Sequence, residues 1–250
     1  MFIDTHCHLS YEDYDDIDLV IKENRAAGVN KIIISGCSKD WIEESIKLSK
    51  VYNDVYVTLG YHPSEADNVS ESMLLDLRKQ LLNDKVVGLG EIGLDYYYGK
   101  DNKKKQLELF EEQLKIAEEM NLVVVIHSRD ATEDTINCLR KYNVKGVIHC
   151  FSGSVETAKV YVSMGYKLGI GGVVTFKNSK LPEVVKNVGI NNIVLETDAP
   201  YLAPTPYRGQ QNSSKYIPVI AEFIADFLDI SIEEVEKITS DNARELFDLK

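Results

Sequence analysis

Short apolar runs recur along the chain at intervals of about 20 to 35 residues, each followed by a stretch with helical periodicity. The runs are Phe2–His6, Lys31–Ser35, Val55–Leu59, Val86–Leu89, Leu122–Ile126, Gly146–Ile148, Tyr166–Ile170 and Ile193–Leu195. They are rich in Val and Ile, and most are apolar at every position. A strand with one face in water alternates apolar and polar residues, whereas a strand buried on both faces does not. These runs therefore predict the strands of a parallel sheet.

The stretches between them are amphipathic. In "DDIDLVIKENRAAG", Ile17, Val20, Ile21 and Ala27 fall near one face, and Gly28 offers a C-terminal cap. "QLELFEEQLKIAEEMN" repeats Leu107, Phe110, Leu114 and Ala117 at helical spacing, with carboxylates opposite. "SVETAKVYVSMG" opens on a capping Ser154, with Glu156 and Thr157 close by, and ends at Gly165. The C-terminal stretch from Ser214 onward carries two or three further helices. Strands alternating with helices through 250 residues predict an α/β fold, a single (β/α)8 TIM-type barrel domain spanning residues 1–250 with additional C-terminal helices. An open doubly wound sheet is the alternative, because a linear pattern does not reveal closure. No Gly/Ser/Pro-rich linker, repeat or low-complexity tract interrupts the chain.

With 44% apolar and 27% charged residues, the composition is that of a globular protein and not of a disordered one. The formal net charge of −12 argues against coating a nucleic-acid backbone with a basic surface. It leaves room for an enzyme that meets phosphate through bound cations, which supply the missing charge locally. Cys7, Cys37, Cys138 and Cys150 are widely spaced without a CxxC pair, as expected of reduced thiols. No signal-peptide pattern opens the chain, and no apolar run approaches the roughly 18 residues of a membrane span. A soluble cytoplasmic protein without an obligate protein partner is the expectation.

The first strand ends in "IDTHCHL". Alternate strand residues share a face, so Asp4, His6 and His8 point the same way. Two imidazoles and a carboxylate on one face are costly to bury without partners. The chain has five histidines, His6, His8, His62, His127 and His149, and each lies at or just beyond the C-terminal end of an expected strand. Glu91 and Asp198 stand at two other strand ends. In a barrel these positions converge on the rim where barrel enzymes place their chemistry. A Ser-His-Asp hydrolase fits less well, since no Gly-x-Ser-x-Gly turn is present and the surplus histidines would need separate roles. Neutral imidazole with carboxylate suits Zn²⁺, Mn²⁺ or a similar divalent ion. The candidate ligands are too many for one tetrahedral ion with an open position, but they suit two ions sharing a carboxylate. Such a pair activates water and braces the attacking and leaving oxygens, which makes hydrolysis the expected reaction class.

The motifs Asp4-Thr5-His6-Cys7-His8, Gly60-Tyr61-His62-Pro63, Gly90-Glu91-Ile92-Gly93-Leu94-Asp95, His127-Ser128-Arg129, His149-Cys150-Phe151-Ser152-Gly153 and Glu196-Thr197-Asp198-Ala199-Pro200 resemble the full set of the TatD family of metal-dependent deoxyribonucleases, within the amidohydrolase-like barrels. The resemblance extends to "YRGQQN" near residue 212. It implies two divalent ions, with Zn²⁺, Mn²⁺ and Mg²⁺ all open. His6, His8, Glu91 and Asp198 would hold one ion, and Glu91, His127 and His149 the other, with Glu91 bridging. Asp198 would also orient or deprotonate the attacking water, and His62 would meet substrate phosphate or the leaving group. Asp4 is expected to fix an imidazole. Arg208 would pair with a phosphate or with a rim carboxylate, and Asn212 likewise.

Substrate is less legible. Tyr96, Tyr97 and Tyr98, followed by Lys100, Lys103, Lys104 and Lys105, combine stacking rings with positive charge, a composition that holds unpaired bases; the competing reading is a packing surface followed by a solvated helix. The resemblance implies DNA, cleaved at 3′ ends or in single strands. Two other readings stay open: a hydrolase of a different ester, such as an aminoacyl-tRNA deacylase, and a non-catalytic, metal-stabilised interaction protein.

Overall fold

The computed structural model describes residues 1–98 and 101–249, so Lys100 lies outside the described residues. The elements begin with β1 (Phe2–Cys7), α1 (Ile17–Ala26), β2 (Val29–Gly36), α2 (Lys39–Val51), β3 (Val55–Leu59) and α3 (Glu71–Gln80). They continue with β4 (Val86–Asp95), α4 (Lys103–Met120), β5 (Val124–Arg129), α5 (Thr132–Leu139) and β6 (Gly146–Ile148). The last are α6 (Val155–Ser163), β7 (Lys167–Ile170), α7 (Leu181–Val188), β8 (Ile193–Leu195), α8 (Ile217–Leu228) and α9 (Ile232–Phe247). The strands neighbour one another in chain order from β1 to β8. The last returns to the first: Thr5 Oγ1 donates to the Leu195 carbonyl at 3.0 Å, and the Asp198 amide donates to the His6 carbonyl at 3.0 Å. Sequential parallel strands alternating with helices, the last beside the first, are the expected (β/α)8 topology and not the open sheet. No described helix is long and apolar enough to cross a membrane.

Three expected strands match to the residue, but β4 and β5 run further than their apolar cores. Glu91 breaks the apolar run of β4 without ending the strand, which continues to Asp95 because Leu94 pairs with Ser128 and Asp95 with Arg129 on β5. Gly93 permits this closeness. Its φ is +146°, and a Cβ there would run into the His127 carbonyl.

Contacts divide the chain into two compact units, Met1–Ile34 with His149–Lys250, and Ser35–Ile148. In the first, Leu168, Ile170, Ile193 and Val194 of β7 and β8 are fully buried. The two C-terminal helices pack on β1 and β8, and Asn242 of α9 donates to the carbonyls of Ile190 and Ile193 at 3.0 and 2.7 Å. Helix starts follow the chain's capping residues: Asp16 accepts from the Leu19 amide, Ser154 from Thr157 and Ser231 from Glu234.

In the second unit, α4 departs from the expected pattern. Leu107 is only half-buried, while Gln106 and Gln113 are buried with Phe110, Leu114 and Ala117. Each glutamine bonds both backbone groups of one strand-end residue. Gln106 accepts from the Asp95 amide at 2.8 Å and donates to its carbonyl at 2.9 Å, and Gln113 does the same at Tyr61, at 2.7 and 3.0 Å. A buried amide so satisfied carries little desolvation penalty. It also ties the helix to the chain beside His62 and to the end of β4.

Candidate metal centre

In the first unit, β1 carries His6 and delivers His8 just past its end, His149 follows β6, and Asp198 follows β8. His6, His8 and His149 are buried. His6 Nε2 and His8 Nε2 lie 3.4 Å apart, and Asp198 Oδ1 is 3.7 Å from the first and 3.5 Å from the second. Tetrahedral bonds of about 2.0–2.1 Å place ligand atoms about 3.3–3.4 Å apart. Three donor atoms at this mutual spacing, two nitrogens and a carboxylate oxygen, fit a divalent ion. His149 stacks on His6 with ring centres 3.9 Å apart, and His6, His149 and Asp198 each bring a donor atom into one group within 4.8 Å.

The local chain fixes this arrangement. Asp198 has φ +54°, a left-handed conformation that Asp tolerates, and its amide is held by the His6 carbonyl. Asn212, fully buried, donates through Nδ2 to the carbonyls of Thr197 and Tyr201 at 2.8 and 2.6 Å, bracing both sides of Asp198. Asn212 is thus committed to backbone and not to a phosphate. Asp4 is held by Thr197 and by the backbone of a candidate ligand. Its carboxylate accepts from the Thr197 amide and hydroxyl at 3.0 and 2.6 Å and from the His6 amide at 3.2 Å. Burial pushes its pKa up to about 7 against these donors.

Glu196 is a further carboxylate of the motif that carries Asp198. It is fully buried, its Oε1 accepts the Cys150 amide and lies 3.5 Å from His149 Nδ1, and burial pushes its pKa up. A carboxylate behind an imidazole in this way orients the ring for a metal. Gly169 makes the space, since a Cβ there would collide with the Glu196 carboxylate.

In the second unit, Glu91 Oε1 lies 2.7 Å from His127 Nδ1 and 3.9 Å from His62 Nε2. The two imidazole rings meet edge-on at 4.6 Å. His62 Nδ1 accepts the Ser64 amide at 3.1 Å, which leaves the hydrogen of a neutral ring on Nε2, toward Glu91. His127 is flanked on its other side by Asp95, Nε2 to Oδ2 at 3.3 Å. Burial pushes the Asp95 carboxyl up, but His127 and the amides of Tyr98 and Tyr97 together outweigh it and hold its pKa at about 2. His62, Asp95 and His127 form a second group of candidate donor atoms within 4.8 Å. Asp95 and Glu196 are the residues that motif reading passed over. The signal was present, since each is a carboxylate on the same strand end as a candidate ligand. Arg208 is exposed, with its guanidinium 4.0 Å above the Phe176 ring.

A family model described as "TatD related DNase" matches residues 3–248. The Bacillus subtilis (strain 168) protein named uncharacterized metal-dependent hydrolase YabD is 40% identical over 252 residues, covering 99% of each chain. The similarly named YcfH of Escherichia coli (strain K12) is 34% identical over 253 residues, covering 98% of this chain and 95% of its own. The crystal structure of the TatD homolog YjjV from Escherichia coli K12 matches with a TM-score of 0.93 at 30% identity, covering 100% of this chain and 98% of that one.

Proposed function

The chain belongs to the TatD family of metal-dependent hydrolases, and from that premise we propose that it hydrolyses phosphodiester bonds of DNA, at 3′ ends or in single strands, using two divalent ions. The ligand assignment is the one the motif resemblance implies: His6, His8, Glu91 and Asp198 for one ion, Glu91, His127 and His149 for the other, with Glu91 shared. The observation that carries the reading is the triangle of His6, His8 and Asp198 donor atoms, 3.4 to 3.7 Å on a side.

When bound, a divalent pair supplies Lewis acidity, neutralising phosphate charge and lowering the pKa of water. The chain's own residues supply the rest. Asp198 orients the attacking water and accepts its proton. His62 donates its Nε2 hydrogen to a phosphate oxygen or to the leaving group. Arg208, open to solvent, pairs with a neighbouring phosphate of the strand. Glu196 and Asp95 hold His149 and His127 in orientation. The reading carries with it a cytoplasmic protein whose partner is DNA.

The test is a parallel assay on one sample of measured metal content. Purified protein is incubated with 3′-labelled single-stranded DNA and, separately, with aminoacyl-tRNA, with Mg²⁺ or Mn²⁺ and with EDTA. Cleavage of DNA that EDTA abolishes is expected, with two ions per chain. Intact DNA with rapid deacylation moves the reaction to the aminoacyl ester. A tightly held metal with neither reaction makes the centre structural.

A further inference from the structure

The tyrosine run after β4 is not one surface. Tyr96 is buried, with its hydroxyl donating to Asp134 at 2.7 Å, whereas Tyr97 and Tyr98 are 52% and 78% exposed. Nor do the described lysines nearby supply the local positive charge. Lys105 is paired with Asp67, Lys104 lies 3.5 Å from Glu108, and Lys103 sits over the Tyr96 ring. Among the described residues, the cation at the exposed rings is Arg129, at the end of β5, with Cζ 4.1 Å from the Tyr97 ring centre and 4.9 Å from that of Tyr98.

Two large aromatic rings in water beside a guanidinium expose apolar area that folding does not bury. Their backbone is nonetheless fixed. Asp95 Oδ1 accepts the amides of Tyr97 and Tyr98 at 2.9 and 3.0 Å, while Oδ2 of the same carboxylate faces His127 Nε2 at 3.3 Å. The rings meet edge-on, 4.7 Å apart at 89°, so they present differently oriented faces. An aromatic pair on a held backbone with an adjoining cation, coupled through one carboxylate to a candidate metal ligand, matches a nucleotide whose base is unpaired. The base stacks on a ring and its phosphate meets the guanidinium. A base inside a duplex has both faces covered and has none to offer.

Building on the nuclease reading, we propose that Tyr97, Tyr98 and Arg129 form a stacking platform that binds an unpaired nucleobase of the DNA substrate near the scissile end. Asp95 sets the platform's position relative to His127.

The experiment compares wild type, Tyr97→Ala/Tyr98→Ala and Tyr97→Phe/Tyr98→Phe in Mn²⁺, on a 3′-labelled single-stranded oligonucleotide and on its counterpart with abasic 3′-terminal residues. Stacking of one base predicts that the alanine pair raises KM on the normal strand by roughly 5- to 100-fold. The phenylalanine pair, which keeps the rings, should stay within about twofold of wild type. Wild type should favour the normal strand over the abasic one by a factor similar to the alanine variant's loss, and the alanine variant should treat the two alike. An unchanged KM, or an equal loss on the abasic strand, overturns the platform while leaving the nuclease reading intact. Wild type that cleaves neither strand while loaded with metal overturns the nuclease reading and the platform with it.

Discussion

Each compact unit contains a histidine at a strand end with a carboxylate behind it, His149 with Glu196 in one and His127 with Asp95 in the other. The two pairs differ in burial and in donors. Glu196 is 0% exposed and takes one backbone amide, from Cys150, whereas Asp95 ends a strand and takes two amides from the turn that follows it. In the first pair burial prevails and the carboxyl is pushed up; in the second the donors prevail and it is held down at about 2. One structural device thus acquires opposite titration behaviour from its surroundings. The number of hydrogen bonds to the ionised form, set against desolvation, decides the sign.

The largest expected effect separates catalysis from metal binding within the unit that holds His149 and Glu196. Asp198→Asn should lower turnover by about a thousandfold through loss of the proton acceptor while the protein keeps its ions, as read by metal analysis alongside the rate. Asn keeps a carbonyl oxygen at the ligand position, so loss of metal in that variant would show that the ion needs the charge of Asp198 and that the rate loss is not a proton-transfer effect.

Next are the two bracing carboxylates. Glu196→Ala and Asp95→Ala should each weaken metal binding by roughly 10- to 100-fold in chelator competition. The Glu196 change should be the larger, because its partner amide and imidazole are left in a fully enclosed place. Equal losses would show that enclosure does not matter here.

Acid and base titrations of the metal-free protein should separate the units further. The Asp95 pKa in the fold lies below its ordinary value, so its stabilisation is present above about pH 4 and lost as pH falls toward 2. Urea melts of wild type and Asp95→Asn should resolve it as a difference in stability that disappears at low pH. Asp4 runs the other way. With its pKa raised to about 7, its contribution is present below about pH 4 and lost as pH climbs to 7. Asp4→Asn should flatten that decline; an unchanged slope would assign it to another group. The smallest effect belongs to His62. His62→Ala should slow turnover by roughly tenfold with both ions retained, and metal loss would promote it to ligand.

The parallel strands and the histidines at their ends were legible because both are repeating signals. Continuous apolar runs mark doubly buried strands, and five histidines at equivalent positions stand out in a linear reading. Where β4 ends was not legible, because its last residues are held by pairing with β5 and not by apolar character. Gln106 and Gln113 read as polar interruptions of a helix face. Their burial depends on backbone groups of strand-end residues meeting α4 in space. The lysines after Tyr98 read as the positive charge of that segment, yet the described ones are engaged locally, and Arg129 reaches the rings from the next strand.

The sequence by itself determined the order of strands and helices, the chemistry of the donors and the strand ends on which they sit, since these follow from residue type and periodicity along the chain. Only the tertiary structure decided which carboxylate braces which imidazole, which tyrosines face water and which cation accompanies them. Those outcomes depend on distances between segments remote in the chain, and on whether burial or hydrogen bonding dominates once they meet.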